Sequence, residues 1–320
     1  MTENAVNCLL RSAEPVVRLK ALRLTPGGRP GSAAVKRARQ DVKRSERVRL
    51  LLSERGEDGG IPFHPYAKWY GAHWVLATLA DIGYPPGDRS LVPLREQVFD
   101  WLFGESHQKR IRSVNGRVRR CASQEANALY AMLALGLADE RAEDLARRLR
   151  QWQWPDGGWN CDKRPAATNS SFMESLIPLR ALSLHASLTG NRHSEKTAAR
   201  AADIFLKRRL FRRQSDGRVM DYNFVKLHYP CYWHYDVLFG LKVMAEAGLV
   251  GDKRCREALD LLESKRLADG GFPAEARYYR VSPDARSGRS LVDWGGTSKT
   301  RMNEFVTADA LFVLKEAHRL

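Results

Sequence analysis

Two kinds of helical pattern alternate along the chain. Stretches such as 69–83 and 121–136 mix large apolar and small residues on all sides, which is typical of a helix buried on two faces. Stretches such as 140–153 and 195–209 carry one apolar stripe and one charged face, as an outer helix does. The alternation predicts an all-α fold made of paired inner and outer helices.

The inner set has six members, and several of them end at a glycine, which is a helix stop signal. The predicted inner helices are 3–24, 69–83, 121–136, 170–185, 233–248 and 301–320, and the predicted outer helices are 33–54, 90–103, 140–153, 195–209 and 252–266. About six hairpins in this order predict an α/α toroid, a closed ring in which the inner helices surround a lumen. Pro178 lies within the fourth inner helix and predicts a kink or a late start there.

Asp-Gly turns separate the helices. The segments 58–60, 156–158 and 269–271 each read Asp-Gly-Gly. Glycine accepts a positive φ and aspartate bonds the local backbone, so this dipeptide marks a turn. Its repetition at intervals of tens of residues favours repeated helical hairpins.

The chain is predicted to have two parts. Residues 1–56 form a basic N-terminal helical hairpin that belongs to the ring, and residues 57–320 form the α/α-toroid domain. Residues 273–300 have no clear pattern. A loop of this length in a compact domain is usually a functional lid or a disordered segment, and we favour a lid.

The chain is strongly basic. Its net charge is +16, and residues 1–56 contain 13 Lys and Arg against 5 Asp and Glu. This surplus could attract nucleic acid, anionic lipid or a phosphorylated ligand, or could simply be a solvated surface. No named nucleic-acid-binding motif occurs, so support for a nucleic-acid partner is weak.

Cysteine spacing and hydropathy indicate the compartment. The five cysteines are scattered, with no CxxC pair, and no apolar run is long enough to span a bilayer. The N-terminus does not read as a secretory signal. We therefore expect a cytoplasmic protein with reduced thiols and no transmembrane segment, and the sequence does not indicate its oligomeric state.

One turn carries a family signature. Residues 153–159 read QWPDGGW, the Gln-xxx-Gly-x-Trp form of the QW repeat, and residues 266–272 read RLADGGF, a second copy with Arg in place of Gln. In these residues the chain resembles the squalene/terpenoid cyclases and the β subunits of protein prenyltransferases, over residues 57–320. The resemblance implies an α/α toroid that binds a hydrophobic, isoprenoid-like substrate in its lumen, with a hydrophobic or diphosphate small molecule as partner.

The chain also departs from that family. The Asp-x-Asp-Asp acid motif of class II cyclases and the Asp-Asp-x-x-Asp metal motif are absent from the sequence, and residues 166–170 lack the expected Asp and Cys zinc ligands. The resemblance assigns diphosphate binding to Lys163 and Arg164. We favour a cyclase- or prenyltransferase-like enzyme. The alternative is a non-catalytic toroid module whose cationic surface binds nucleic acid or another acidic partner.

Polar residues are expected near the starts of the inner helices. Aligned on their leucine spacing, the helices place Gln124, Glu174, Asp236 and Asp309 at equivalent positions. The helix dipole alone favours acidic residues there. If these groups face the lumen, apolar walls would raise the pKa of a carboxyl and suit it to proton transfer. Glu174 and Asp236 are therefore candidate catalytic acids or bases, and Gln124 is a candidate substrate-binding residue.

Segment 228–236 is the densest in reactive side chains. Its spacing allows His228, Cys231 and His234 to supply mixed nitrogen and sulfur ligands to zinc. We favour a lumen wall of aromatic and polar groups over the metal site, and ordinary packing is the third alternative. His234 is also a candidate catalytic residue.

Aromatic residues cluster at the same helix starts. Trp69 and His73 share one helix face, and together with Tyr232 and Trp233 they would line a cavity that holds an isoprenoid by cation–π attraction. Aromatic stripes are also common in protein cores. Asn303 opens the last inner helix and completes the substrate-binding candidates. Parallel inner helices gather their N-termini at one mouth of the ring, which attracts phosphate.

Overall fold

The computed structural model describes residues 2–29 and 31–320. Its helices are α1 (Thr2–Leu10), α2 (Pro15–Leu22), α3 (Ala33–Lys43), α4 (Glu46–Leu51), α5 (Ala72–Asp81), α6 (Val92–Phe103), α7 (Glu105–Gln108), α8 (Ala122–Ala134), α9 (Glu140–Trp152), α10 (Phe172–Thr189), α11 (Arg192–Leu206), α12 (Val237–Glu246), α13 (Arg256–Glu263) and α14 (Glu304–Glu316). Short 3-10 helices occupy Arg89–Leu91, Tyr222–Val225 and Lys253–Cys255.

The strands are two residues long. Antiparallel β1 (Ser113–Val114) and β2 (Arg117–Val118) form one pair, and parallel β3 (Arg280–Val281) and β4 (Arg289–Ser290) form the other. The helices therefore carry the architecture, as the hydropathy pattern predicts.

The fold is an α/α toroid. Helices α2, α5, α8, α10, α12 and α14 form the inner ring, and along α5, α8, α10, α12, α14 and α2 each packs against the next. The ring closes where Lys20 of α2 reaches Asp81 at the end of α5. Helices α1, α3, α6, α9, α11 and α13 lie outside and pack against their inner partners.

Burial explains the two layers. In the outer helix α9 the buried residues are Ala142, Leu145, Ala146, Leu149 and Trp152, a single stripe at helical spacing. The inner helix α12 is buried over all of Val237–Ala245, including its small residue Gly240. An inner helix contacts neighbours on both sides, which is why its sequence is apolar nearly all round.

Two predicted helices are each divided. The stretch 3–24 breaks between α1 and α2, because Pro15 starts a new helix, and the Glu14 carboxylate accepts a hydrogen bond from Val16 N at 3.1 Å. The stretch 33–54 breaks before Ser45, whose hydroxyl caps α4. The described outer set therefore has six ring members rather than five. Helix α10 begins at Phe172 and passes through Pro178, so it does not start late.

The turn at residues 153–159, named the QW turn after its sequence, joins three helices. The Gln153 amide donates to the carbonyls of Gly157 at 2.7 Å and Thr197 of α11 at 2.8 Å. Trp159 donates its backbone N–H to Ser175 Oγ of α10 at 3.0 Å and its indole N–H to Leu149 O of α9 at 2.9 Å. This motif therefore has a structural role in joining neighbouring hairpins.

Residues 273–300 pack against the N-terminal mouth of the inner ring. Tyr279, Val292 and Trp294 are buried in this segment. Trp69 donates its backbone N–H to Arg289 O at 3.1 Å, and Asn303 donates its side-chain N–H to Trp294 O at 2.9 Å. Within the described residues, no helix has the length and apolar character needed to cross a membrane.

Candidate functional site

The predicted aromatic residues do meet at the N-terminal mouth of the ring. Trp69 and Tyr232 stack with their ring centroids 3.9 Å apart, and His234 stacks on Tyr278 at 3.9 Å and on Trp233 at 4.1 Å. The rings pack against one another, and the space between Trp74, Tyr232 and their neighbours is about 30 Å³. That volume suits one water molecule rather than an isoprenoid. The aromatic residues therefore close this end of the lumen.

His73 lies within the same packing. Its side chain is buried between Tyr66, Trp74 and Trp101, and neither ring nitrogen has a hydrogen-bond partner among the described residues. Burial lowers its pKa to about 3, so the imidazole is neutral near neutral pH.

Asp236 caps a helix rather than facing the lumen. Its Oδ1 accepts from Phe239 N at 2.7 Å, and its Oδ2 accepts from His228 N at 2.8 Å and lies 2.6 Å from His228 Nδ1. The carboxylate is fully buried in these contacts. It holds the start of α12 against the preceding loop.

The predicted equivalence of the four polar positions is only partial. Gln124 and Glu174 are each the third residue of their helix, whereas Asp236 precedes α12 and Asp309 is the sixth residue of α14. The leucine spacing does not fix where a helix begins, because the capping group decides that. Only Gln124 and Glu174 therefore share a level in the ring.

The zinc candidates in segment 228–236 are not arranged as a metal site. The ligand atoms of His228, Cys231 and His234 do not all lie within 4.8 Å of one another. The Nδ1 atom of His228 lies 2.6 Å from Asp236 Oδ2, and burial, with the charges of His228 and Lys68, lowers the pKa of His234 to about 3. In the described part of the chain, the three potential ligand atoms that lie within 4.8 Å of one another belong instead to Cys121, Cys161 and Glu174.

Glu174, in the first turn of α10, directs its carboxylate at the N-terminus of α8. Its Oε2 accepts from Ser123 N at 3.0 Å, and its Oε1 lies 3.7 Å from Cys161 Sγ. Burial raises the pKa of this carboxyl. Beside it opens a cleft of about 540 Å³ lined by Arg110, Arg119, Arg120, Cys121, Cys161 and Lys163.

The remaining predicted residues have varied positions. Lys163 lies on the wall of that cleft, whereas Arg164 is exposed and forms a bidentate ion pair with Asp162. Gln124 is buried, and its Oε1 has no hydrogen-bond partner among the described residues. Asn303 caps α14 by accepting from Phe305 N and Val306 N.

The C-terminal end of the ring holds a cavity that is larger than the space between the aromatic residues. A cavity of about 570 Å³ lies toward the C-terminal ends of the inner helices, and all six inner helices contribute to its wall. Ala80, Ala134, Leu184, Val243 and Phe312 supply apolar surface. This part of the lumen is of the size that holds small-molecule ligands.

A buried ion network forms one side of this cavity. Asp81 Oδ1 lies 2.8 Å from Lys242 Nζ and 2.9 Å from Arg180 Nη2, and Asp309 lies 2.6 Å from Lys20 and 2.9 Å from Lys242. Burial opposes the ionisation of Asp81, but the charges of Lys242, Lys20 and Arg180 outweigh it and hold the pKa of Asp81 well below its usual value.

The positive charge of the cavity exceeds its negative charge. Lys20, Arg23, Arg39, Arg180 and Lys242 line it with Asp81, Glu246 and Asp309, which leaves two cations in surplus. Arg180 pairs with Glu246 at 2.6 Å, but Arg23 and Arg39 form no ion pair with any described residue. The Nε atom of Arg39 is buried and has no hydrogen-bond partner among the residues that the structure describes. Burial, and after it the charge of Arg39, lowers the pKa of Arg23.

Apart from Asp309, none of these residues is among those predicted near the lumen. The signal in the sequence is a charged residue in the middle of an apolar inner helix, such as Arg180 in α10 or Lys242 in α12. A charge at such a position needs a partner once it is buried.

No protein-family model and no curated protein matches the chain. Solved structures of alpha-2-macroglobulin from E. coli are similar in part. The cryo-EM reconstruction of its native conformation and the crystal structure from domain MG7 to the C-terminus each give a TM-score of 0.42 at 14% identity over 99% of this chain. They are covered over 17% and 42% of their own lengths, so the chain spans less than half of either. This likeness carries no inference about function.

Proposed function

We propose that the protein binds an amphipathic anion in the lumen cavity, with an isoprenoid-like apolar chain and a phosphate or diphosphate head. The observation that carries the proposal is the pair of arginines, Arg23 and Arg39, on the wall of a cavity of about 570 Å³ to which all six inner helices contribute. A guanidinium without a carboxylate partner in a partly buried site favours an anion, and phosphate suits its planar set of donors.

The apolar wall supports the second half of the ligand. Leu184, Val243 and Phe312 offer apolar surface against which a hydrocarbon chain would pack. Each Å² of apolar surface that this contact removes from water contributes about 25 cal/mol to the binding free energy. The QW-repeat resemblance to terpenoid cyclases and prenyltransferases favours an isoprenoid chain over other hydrocarbons.

The cavity supports binding better than proton-initiated cyclisation. Protonation of a polyene needs a carboxylic acid, and each of the three carboxylates that line this cavity pairs with a cation. Asp81, with its lowered pKa, stays ionised at neutral pH. We therefore assign the lumen a binding role, and any prenyl-transfer chemistry would need groups supplied at the opposite mouth.

Isothermal titration of the full-length protein tests this function. Farnesyl diphosphate should bind with one equivalent, and farnesol, inorganic pyrophosphate and palmitate should bind more weakly because each lacks one half of the matching chemistry. Arg39→Ala should weaken farnesyl diphosphate binding by about tenfold or more, since a hydrogen bond to a charged group contributes about 1.5–3 kcal/mol.

Arg37→Ala is the matched control, because Arg37 is exposed on the same helix, α3. Its affinity should equal that of the wild type. Absence of farnesyl diphosphate binding, or an equal loss in both variants, would contradict a specific lumen site. Tighter binding of palmitate would instead assign the cavity to fatty acids and overturn the isoprenoid assignment.

A second candidate function rests on the net charge of +16. A cationic toroid would bind nucleic acid through its phosphates, with an affinity that falls steeply as salt increases. Retention on immobilised DNA at low salt, released by moderate salt, would support this alternative. Passage through the column at low salt would remove it.

A further inference from the structure

Two thiols and a carboxylate from three separate parts of the chain meet at the N-terminal mouth of the ring. Cys121 immediately precedes α8, Cys161 lies in the loop between α9 and α10, and Glu174 is in the first turn of α10. One ligand atom from each lies within 4.8 Å of the other two, and Cys161 Sγ is 3.7 Å from Glu174 Oε1. In a tetrahedral zinc site, with Zn–S about 2.3 Å and Zn–O about 2.0 Å, neighbouring ligand atoms lie roughly 3.5 Å apart.

The supporting contacts fix the orientation of these ligands. Ser123 N donates to Glu174 Oε2, which leaves Oε1 directed toward the thiols. Arg119 is buried and donates to the carbonyls of Asp162 at 3.2 Å and Ala167 at 2.8 Å, so it holds the loop that carries Cys161 against the start of α8. Hydrogen bonds to the groups around a metal fix the orientation of its ligands.

We propose that Cys121, Cys161 and Glu174 bind a thiophilic divalent metal ion, with Zn²⁺ as the preferred ion. Two sulfur ligands select zinc over magnesium or calcium, which prefer oxygen alone. Two thiolates and a carboxylate bring three negative charges to a doubly charged ion, and the cations along the neighbouring cleft, Arg120 and Lys163 among them, offset the excess.

The fourth coordination position would open into the cleft. Cys121 and Cys161 both line this space of about 540 Å³, so a water molecule or an anionic ligand could approach the metal from that side. Three protein ligands with an open position are typical of catalytic zinc sites, whereas structural sites are closed by four. This proposal does not rest on the lumen-binding function, because the cleft and the lumen cavity lie at opposite ends of the ring.

Metal titration of the reduced full-length protein tests the site. After treatment with a chelator, the wild type should take up one equivalent of Zn²⁺ in competition with a chromophoric indicator. Co²⁺ should give sulfur-to-metal charge-transfer absorption. Cys161→Ser should weaken Zn²⁺ binding by more than about tenfold, since the loss of an outer-shell contact alone costs roughly 10–100-fold. Glu174→Gln should also weaken it, although its amide oxygen can still accept from Ser123 N.

Cys8→Ser is the matched control, because Cys8 is an exposed free cysteine in α1. It should bind Zn²⁺ like the wild type. Zn²⁺ should raise the melting temperature of the wild type and of Cys8→Ser but not that of Cys161→Ser, which separates loss of the site from loss of the fold.

Several outcomes would overturn the proposal: substoichiometric zinc in the reduced wild type, Co²⁺ spectra without sulfur bands, unchanged affinity in Cys161→Ser, or a Cys121–Cys161 disulfide that persists under reduction. Farnesyl diphosphate binding measured on the same variants should stay at the wild-type level. A failure of the metal site is therefore distinguishable from a failure of the lumen site.

Discussion

Lys20 and Asp309 join the first inner helix of the ring to the last. The Lys20 Nζ atom lies 2.6 Å from Asp309 Oδ1, although 289 positions separate the two residues in sequence. Both side chains are buried, and both line the lumen cavity. The ion pair therefore helps to close the ring and also forms part of the wall of the proposed ligand site.

Removal of one charge from this pair should destabilise the fold. Asp309→Asn leaves Lys20 and Lys242 without one of their carboxylate partners, and breaking a buried ion pair in this way costs about 3–5 kcal/mol. Chemical denaturation would measure the loss. Glu105→Gln, which removes the exposed partner of Lys109, should cost less than about 1 kcal/mol. Equal losses in the two variants would show that the lumen network does not support the ring.

The buried His73 should make the protein sensitive to mild acid. Its pKa is about 3 in the folded chain and 6.5 ordinarily, so protonation favours the unfolded state as pH falls from about 6.5 toward 3. Above about pH 6.5 the imidazole of His73 is neutral in both the folded and the unfolded chain, so it does not lower the free energy of unfolding there. At pH 5 it should lower the free energy of unfolding by about 2 kcal/mol relative to pH 7.

His73→Phe should remove this part of the pH dependence, because phenylalanine fills the aromatic packing without a titrating group. Denaturation curves at the two pH values provide the comparison. His193→Phe is the control, since His193 is exposed on α11 and its replacement should leave the acid sensitivity in place. If the free energy of unfolding of His73→Phe still falls as much between pH 7 and pH 5 as that of the wild type, other groups cause the acid sensitivity.

Gly158, the second glycine of the QW turn, has no room for a side chain. A Cβ at Gly158 would lie 2.4 Å from Ser175 Oγ and 2.5 Å from Ile204 Cδ1, which neither neighbour can accommodate without moving. Gly158→Ala should destabilise the fold by about 1–3 kcal/mol, as expected of overpacking. Gly251→Ala, at an open and exposed position, should change stability by less than about 0.5 kcal/mol. A mild effect at Gly158 would mean that the turn can relax.

The sequence predicted the toroid because its signal is local. An inner helix such as α12 must be apolar on nearly every face, and an outer helix such as α9 on one, so each segment reveals its layer without knowledge of the others. Helix boundaries were less predictable. The break before Pro15 depends on the proline and the cap of Glu14, and the start of α12 depends on the cap of Asp236, none of which hydrophobic spacing encodes.

The lumen could not be predicted in the same way. Asp81 and Lys242 are 161 positions apart, and no local sequence pattern predicts their ion pair. An acidic residue at a helix start serves equally well as a cap or as a catalytic group, and Asp236 is a cap. The aromatic residues were expected to line a cavity, but their mutual stacking, as between Trp69 and Tyr232, fills the space.

A crystal structure of the protein with farnesyl diphosphate would show whether the lumen cavity binds an amphipathic anion. We expect ligand density between the inner helices, with the diphosphate beside Arg23 and Arg39 and the hydrocarbon chain against Phe312. Density confined to the N-terminal mouth, or none at saturating ligand, would contradict it.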